Sequence, residues 1–209
     1  MAKESIVIIG AGGHAKVIAS TAQEAGLVVE AFYDDDPKKH GNTILGVPVI
    51  GGLELIKARR EVKAVIALGD NQARKEVARR YEDFCQWITV IHPGSYVHST
   101  VKLGKGTVVF AGVSVQPDAI IGEHCIINTG VTIDHDCIIN DFVHLGPGVH
   151  LAGNIMIAEG TLLGVGTSVI PGVQVGKWSI IGAGAALVND IPDHVVAAGV
   201  PARVIKNLK

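Results

Sequence analysis

Residues 121–151 read IGEHCIINTGVTIDHDCIINDFVHLGPGVHL. An aliphatic residue opens each group of six: Ile121, Ile127, Ile133, Ile139, Leu145, Leu151. Counting outward in both directions gives seventeen unbroken hexads, from Ile91 to Leu187, and every lead residue is Ile, Val or Leu. The position four further on is small or β-branched, as at Val113, Ala119, Cys125, Val131, Cys137 and Val143. Glycine recurs just past the lead, as in Leu103-Gly-Lys-Gly and Leu163-Gly-Val-Gly. A period of six is neither the 3.6 of a helix nor the two of a strand. It fits one short strand plus one corner, repeated. Three units close a triangular coil of about 18 residues, and stacked coils set lead residue over lead residue. At about 4.8 Å per coil the hexads build a prism on the order of 26 Å tall. Residues 91–209 are therefore predicted to form a parallel β-helix. The short repeat implies the left-handed form, against the usual right-handed crossover.

The composition agrees. The chain has 209 residues, 48% hydrophobic and 18% charged, which excludes a disordered chain. Only 4% are aromatic, while there are 26 glycines, so Val, Ile, Leu and Ala fill the core between many tight corners. The net charge of −2 offers no basic excess to attract nucleic acid or an anionic membrane. No apolar run approaches the ~20 residues of a membrane span, and MAKESIVIIGAGGHAK does not read as a signal peptide. A cytoplasmic protein is expected. Three scattered cysteines, Cys85, Cys125 and Cys137, form neither a disulfide framework nor a zinc motif. A mean hydropathy of +0.37 without a span suggests burial between subunits.

Residues 1–90 lack the six-residue register. Ser5–Ile9 reads as a strand, 13–25 as a helix ending at Gly26, and Val28–Tyr33 as a second strand closed by Asp34-Asp-Asp-Pro. Helices are expected at 53–60 and 72–83, with strands at 63–68 and 88–91. Strands alternating with helices predict a small parallel α/β sheet, a Rossmann-like unit ahead of the prism. Two domains follow, 1–90 and 91–209.

The turn Gly10-Ala-Gly-Gly-His-Ala15 joins the first strand to the first helix. Glycines there let backbone amides approach a phosphate at the helix N-terminus. Asp34 and Asp35 end the second strand, where dinucleotide folds place a carboxylate on a ribose, so NAD is a rival ligand. The unit is about half the usual length for NAD, and no hydride-transfer site is apparent downstream. A nucleoside diphosphate carrying a sugar fits better. Gly69 ends the third strand at the same sheet edge and is expected to touch that ligand. The plain alternative is that Gly12, Gly13 and Gly69 only make tight turns.

In the prism, Asp134-His135-Asp136 falls at a corner, with His135 pointing outward. A carboxylate that holds one ring nitrogen makes the other a better base. The plain alternative is a solvated corner. His144 precedes its lead residue and faces outward from a strand, nine residues past His135. Half a coil separates the two, so they converge only across a trimer whose flat faces pack side by side. A metal needs at least three converging ligands, and His98, His124, His135, His144 and His150 show no spacing that stacks three at one seam. No metal is expected.

These residues together resemble the hexapeptide-repeat sugar acetyltransferases. The signatures are Gly10-Ala-Gly-Gly-His-Ala-Lys16, Asp34-Asp35, Asp134-His-Asp-Cys137, His144, Gly153-Asn154 and Gly199-Val-Pro-Ala-Arg203. The likeness covers essentially the whole chain. Its group includes N-acetyltransferases of nucleotide-linked amino sugars and sialic-acid O-acetyltransferases. The resemblance implies acetyl-CoA as co-substrate, a homotrimer, and an amino sugar carried on UDP or GDP, with acetyl transferred to its amino group for bacterial surface glycans. It implies His135 as catalytic base with Asp136 behind it, where some relatives carry the longer Glu. His144, Val165 and Ala183 match acetyl-CoA contacts. Gly12, Gly13, His14, Asp34, Asp35 and Gly69 match nucleotide-sugar contacts. Cys125 and Cys137 occupy inward ladder positions and are not needed as nucleophiles. Two other functions remain open at this level: O-acetylation of a sialic acid, and a non-catalytic, nucleotide-sensing trimeric scaffold.

Overall fold

The structure, a computed structural model, describes residues 4–59 and 61–208. The chain separates into two compact units, within 1–93 and 94–209.

The first unit contains β1 (Ser5–Ile9), α1 (Gly13–Glu24), β2 (Val28–Tyr33), β3 (Thr43–Ile44), β4 (Val47–Gly51), β5 (Val62–Ile66), α2 (Asn71–Arg80) and β6 (Cys85–Trp87). The sheet order is β3-β4-β2-β1-β5-β6. All pairings are parallel except the β3–β4 hairpin. Ile6, Val7, Ile8 and Ile9 are all buried, as expected of a central parallel strand covered on both faces.

Several local expectations change. The expected helix at 53–60 is a 3₁₀ segment, Leu53–Ala58, with Gly52 at its N-cap; Arg60 lies outside the described residues. The third strand ends at Ile66 rather than 68, and α2 runs over Asn71–Arg80 rather than 72–83. Asp70 starts that helix early by accepting a bond from the Ala73 amide at 2.8 Å. The strand expected at 88–91 shortens to Val90–Ile91, and β6 precedes it without having been expected. The β3–β4 hairpin has no counterpart in the sequence reading. It turns on Leu45 (φ 49°) and Gly46 (φ 78°), the two positive-φ residues of a type I′ turn.

In the second unit, sixteen two-residue strands run from Tyr96–Val97 to Ala186–Leu187, each ending on a lead residue. They stack in three parallel ladders with a register of 18, as in Ser114↔Thr132, Ile120↔Ile138 and Ile126↔His144. This is the β-helix the hexads predict. Every lead residue from Val109 to Leu187 is buried. Val97 and Leu103 are half-buried at the open end. Ile91, the first hexad lead, lies in the other unit and is 38% exposed, so the apolar ladder is shorter than the repeat.

The second inward position tolerates polar side chains for a visible reason. Thr107 Oγ1 donates to the Gly122 carbonyl at 2.7 Å, and Thr161 Oγ1 to that of Gly176 at 2.6 Å. Cys125 and Cys137 donate Sγ–H to the carbonyls of Asn140 and Ala152, each at 3.1 Å. In all four cases the acceptor sits fifteen residues on, in the next coil. A buried hydroxyl or thiol there keeps a partner, so the polar group adds little cost. Beyond the last coil, the antiparallel strands Val195–Gly199 and Ala202–Asn207 join the ladder through Val196 against Ile180.

Candidate active site

The corner after Ile133 is bonded to the coils on either side of it. The Asp136 amide donates to the Pro117 carbonyl at 3.3 Å, and the Asn154 amide to the His135 carbonyl at 2.9 Å. Asp134 Oδ1 accepts the His135 amide at 2.8 Å. Asp136 turns the chain with φ 59°, a conformation that Asp and Asn adopt more readily than most residues. That turn aims its carboxylate at its neighbour. His135 Nδ1 and Asp136 Oδ2 are 2.7 Å apart, so the shorter Asp reaches the ring.

An ionised carboxylate only accepts, so Nδ1 carries the proton and Nε2 carries the lone pair of the neutral ring. The hydrogen bond to Asp136 raises the imidazole above the ordinary histidine value. Desolvation opposes this, and the charges of Asp134 and Asp136 reinforce it. The side chain is 60% exposed. The corner thus holds an exposed imidazole oriented by the neighbouring carboxylate.

His144, Val165 and Ala183 gather along a different edge. His144 lies on the face that leads into that edge. Val165 and Ala183 follow the lead residues of the next two strands on the face, and the Gly184 amide donates to the Val165 carbonyl at 2.8 Å. Val165 is 56% exposed. His144 Nε2 stands 3.4 Å from Asn128 Nδ2, a partner that sequence reading did not single out. Within one chain His135 and this edge occupy separate corners of the triangle.

In the first unit the strand ends bring the glycine turns together. Gly10 has φ 104°, and a Cβ there would meet the Ala67 carbonyl at 3.0 Å, so the fold requires glycine at that position. Gly12, Gly13 and Gly69 differ: a Cβ at any of them would meet nothing within 4 Å. They border open space at the C-terminal ends of β1 and β5, the usual ligand edge of such a sheet.

His14 lies mostly buried beside them. Burial, and then the charge of Arg74, push its imidazole down to about 4, so it is neutral at pH 7. Arg74 is buried and donates to the Leu68 carbonyl at 2.9 Å and to Asn71 Oδ1 at 2.7 Å. It shapes the Gly69 loop from beneath. Its place among the basic residues of a surface helix gave no sign of this role.

Asp34 and Asp35 both bond within the chain. Asp34 Oδ2 accepts from the Ala11 amide at 2.7 Å and from Lys39 Nζ at 2.8 Å, while Oδ1 accepts the Asp36 amide at 2.9 Å. Burial pushes the Asp34 carboxyl up, but these bonds outweigh it and hold it below the ordinary carboxylate range. Asp35 Oδ1 accepts the Leu53 amide at 2.8 Å. The two carboxylates therefore brace the turn. Lys39 and His40, which bonds the Asp34 carbonyl at 2.8 Å, complete the brace without any prior motif. Among the described residues no group of three or more His, Cys, Asp or Glu is placed to hold a metal ion. No helix among them is long and apolar enough to cross a membrane.

A proton-accepting corner on a hexapeptide prism suits acyl transfer to an amine, and the fold and site define a hexapeptide-repeat acyltransferase with an appended α/β unit. Comparison with known proteins narrows the class. The family model for the PglD N-terminal domain matches residues 5–81, and that for the bacterial transferase hexapeptide (six repeats) matches 100–135. A histidine variant of perosamine N-acetyltransferase from Caulobacter crescentus, solved in complex with CoA and GDP-perosamine, is 40% identical. The match covers 99% of each chain with a TM-score of 0.92. The acetyltransferase domain of PglB from Neisseria gonorrhoeae, in complex with acetyl coenzyme A, is 34% identical over 98% of this chain and 100% of that one, with a TM-score of 0.91. The chain belongs to the hexapeptide-repeat nucleotide-amino-sugar N-acetyltransferases. Among curated sequences, UDP-N-acetylbacillosamine N-acetyltransferase of Bacillus subtilis is 41% identical over 115 residues, 52% of each protein. An uncharacterised mimivirus protein is 31% identical over 104 residues, 21% of its length. The matches thus span about half of one curated relative and about a fifth of the other.

Proposed function

We propose that the protein transfers the acetyl group of acetyl-CoA to the amino group of a UDP- or GDP-linked 4-amino-4,6-dideoxy sugar, for bacterial surface-glycan synthesis. The observation that carries this reading is the 2.7 Å bond between His135 Nδ1 and Asp136 at an exposed corner. It leaves Nε2 as a base in a chain whose relatives bind CoA and GDP-perosamine.

The chemistry follows from these parts. The neutral amine attacks the thioester carbonyl, the C–N bond forms, and the C–S bond then breaks. Nε2 of His135 takes the proton lost from nitrogen. Backbone amides or His144 stabilise the oxyanion, and CoA leaves as a thiolate. No acyl-enzyme is needed. His144, Val165 and Ala183 hold acetyl-CoA. Gly12, Gly13, His14 and Gly69 line the nucleotide site, with Asp34 and Asp35 bracing its turn. Because His135 and the acetyl-CoA edge lie at different corners, the working unit is a homotrimer in which one chain's base faces a neighbour's edge. We place the reaction in the cytoplasm, which supplies acetyl-CoA.

The test is to incubate the protein with acetyl-CoA and either UDP- or GDP-linked amino sugar, reading thiol release and product mass. The expected product is an amide that survives hydroxylamine. A hydroxylamine-labile ester, formed only on a sialic acid, would replace this reading with O-acetylation. A melting shift with UDP, GDP or CMP and no thiol release from any acceptor would make the protein a nucleotide-sensing scaffold. A shift with NAD alone would remove the nucleotide-sugar assignment.

A further inference from the structure

Most glycines of the prism are explained by its backbone. One set occupies corners with positive φ, such as Gly130 and Gly148. Another set, such as Gly104 and Gly164, would drive a Cβ into the backbone of the next coil. Gly153 belongs to neither. Its φ lies outside the left-handed region, and the three nearest atoms to a Cβ placed there all belong to the ring of His135: Cε1 at 2.6 Å, Nε2 at 2.7 Å and Nδ1 at 3.2 Å. One coil either side of the His135–Gly153 pair, the same corner position holds Pro117 and Pro171, so the coil itself accepts a substituted residue there.

We propose that Gly153 is a positioning residue for His135, its bare Cα forming the floor on which the imidazole lies against Asp136. The floor is fixed from both sides: the neighbouring Asn154 amide bonds the His135 carbonyl at 2.9 Å, and the Gly153 carbonyl accepts the Gly172 amide at 3.2 Å. An added methyl leaves the ring no room in this rotamer. The side chain is 60% exposed, so it swings outward at little cost to the fold and leaves its carboxylate. The charges acting on the ring are those of Asp136 and Asp134 on its own corner. Gly153 and Asn154 on the facing coil carry no titratable group.

The inference rests on His135 being the base, and the test separates the two ideas. Gly153→Ala, His135→Ala and the double variant are made in the full chain, and the His135 imidazole is titrated by NMR. In Gly153→Ala the His135 pKa falls toward the ordinary histidine value while the melting temperature stays close to the parent's. Its kcat drops about tenfold or more, as for a displaced general base. In the His135→Ala background the same methyl changes kcat by less than about twofold, because its effect runs through the missing ring. An unchanged His135 pKa in Gly153→Ala, or an equal loss of kcat with and without His135, overturns the proposal. Should His135→Ala alone keep the parent rate, the base assignment fails, while the titration still reports whether Gly153 seats the ring.

Discussion

Two edges of the prism share a backbone conformation and differ in the residues that adopt it. Along one, the left-handed corner positions are Gly112, Gly130, Gly148, Gly166 and Gly184, with φ between 64° and 71°. Along the other they are Asp118, Asp136, Asn154 and Gly172, with φ between 58° and 78°. The backbone alone therefore does not demand glycine at five successive coils, since Asp and Asn hold the same turn. The side chains at these positions are what separates them. A Cβ at Gly130, Gly148, Gly166 or Gly184 would meet nothing within 4 Å, beside exposed Val165 and Ala183. The second edge carries side chains, and one of them is His135. The first edge offers bare backbone and room, which suits the extended arm of acetyl-CoA in the proposed reaction. The second offers a proton acceptor.

The comparison can be broken by exchanging what each edge supplies. The largest effect is expected at the base. His135→Ala should cut kcat by roughly 10²–10⁴ and leave the melting temperature unchanged, because its side chain adds nothing to the inward ladders. Next comes the bare edge. Gly166→Leu forces a branched side chain into φ 69°, costing about 1–2 kcal/mol, and should raise the KM for acetyl-CoA about tenfold by loss of uniform binding. The KM for the nucleotide sugar should hold.

Asp136→Asn should act less strongly than removal of the ring. The hydrogen bond and charge of Asp136 raise the His135 pKa, so their loss lowers it. The base works in its neutral form, and activity falls as pH drops through this pKa. The acid limb of the pH–rate profile should therefore move to lower pH, with a lower plateau because the base is weaker. The smallest effect on catalysis is expected at Cys137. Cys137→Ala removes a buried thiol and its bond to the Ala152 carbonyl, costing roughly 1–2 kcal/mol of stability, with kcat close to the parent.

The prism was legible almost entirely, since a period of six leaves each residue one face, one corner or the interior. The outward corner of His135 and the inward thiols followed from that register alone. The first unit was legible in outline, at the apolar runs Ile6–Ile9 and Val28–Tyr33 and at the helices after Gly12 and Asp70. The β3–β4 hairpin escaped because it is short, carries Pro48, and turns on Leu45, a residue without turn preference. The helix expected at 53–60 is a short 3₁₀ segment whose first amide is held by Asp35, a contact over 18 positions that no local pattern announces. Arg74 escaped for the opposite reason: it looks like one of four surface cations, and tertiary bonds to the Leu68 loop draw it inside. Gly153 was visible as a motif residue, but its ring-shaped constraint needs coordinates.

Mixing two impaired variants tests the division of labour between the edges most directly. His135→Ala keeps the bare edge and loses the base; Gly166→Leu keeps the base and loses the edge. Subunits of the two are unfolded together, refolded at equal ratio and assayed at limiting acetyl-CoA. In the proposed trimer a site draws its base from one chain and its edge from the next, so random assembly should restore about a quarter of the parent activity. If the mixture shows no more activity than the average of the two variants alone, each site is built within a single chain and the account is wrong.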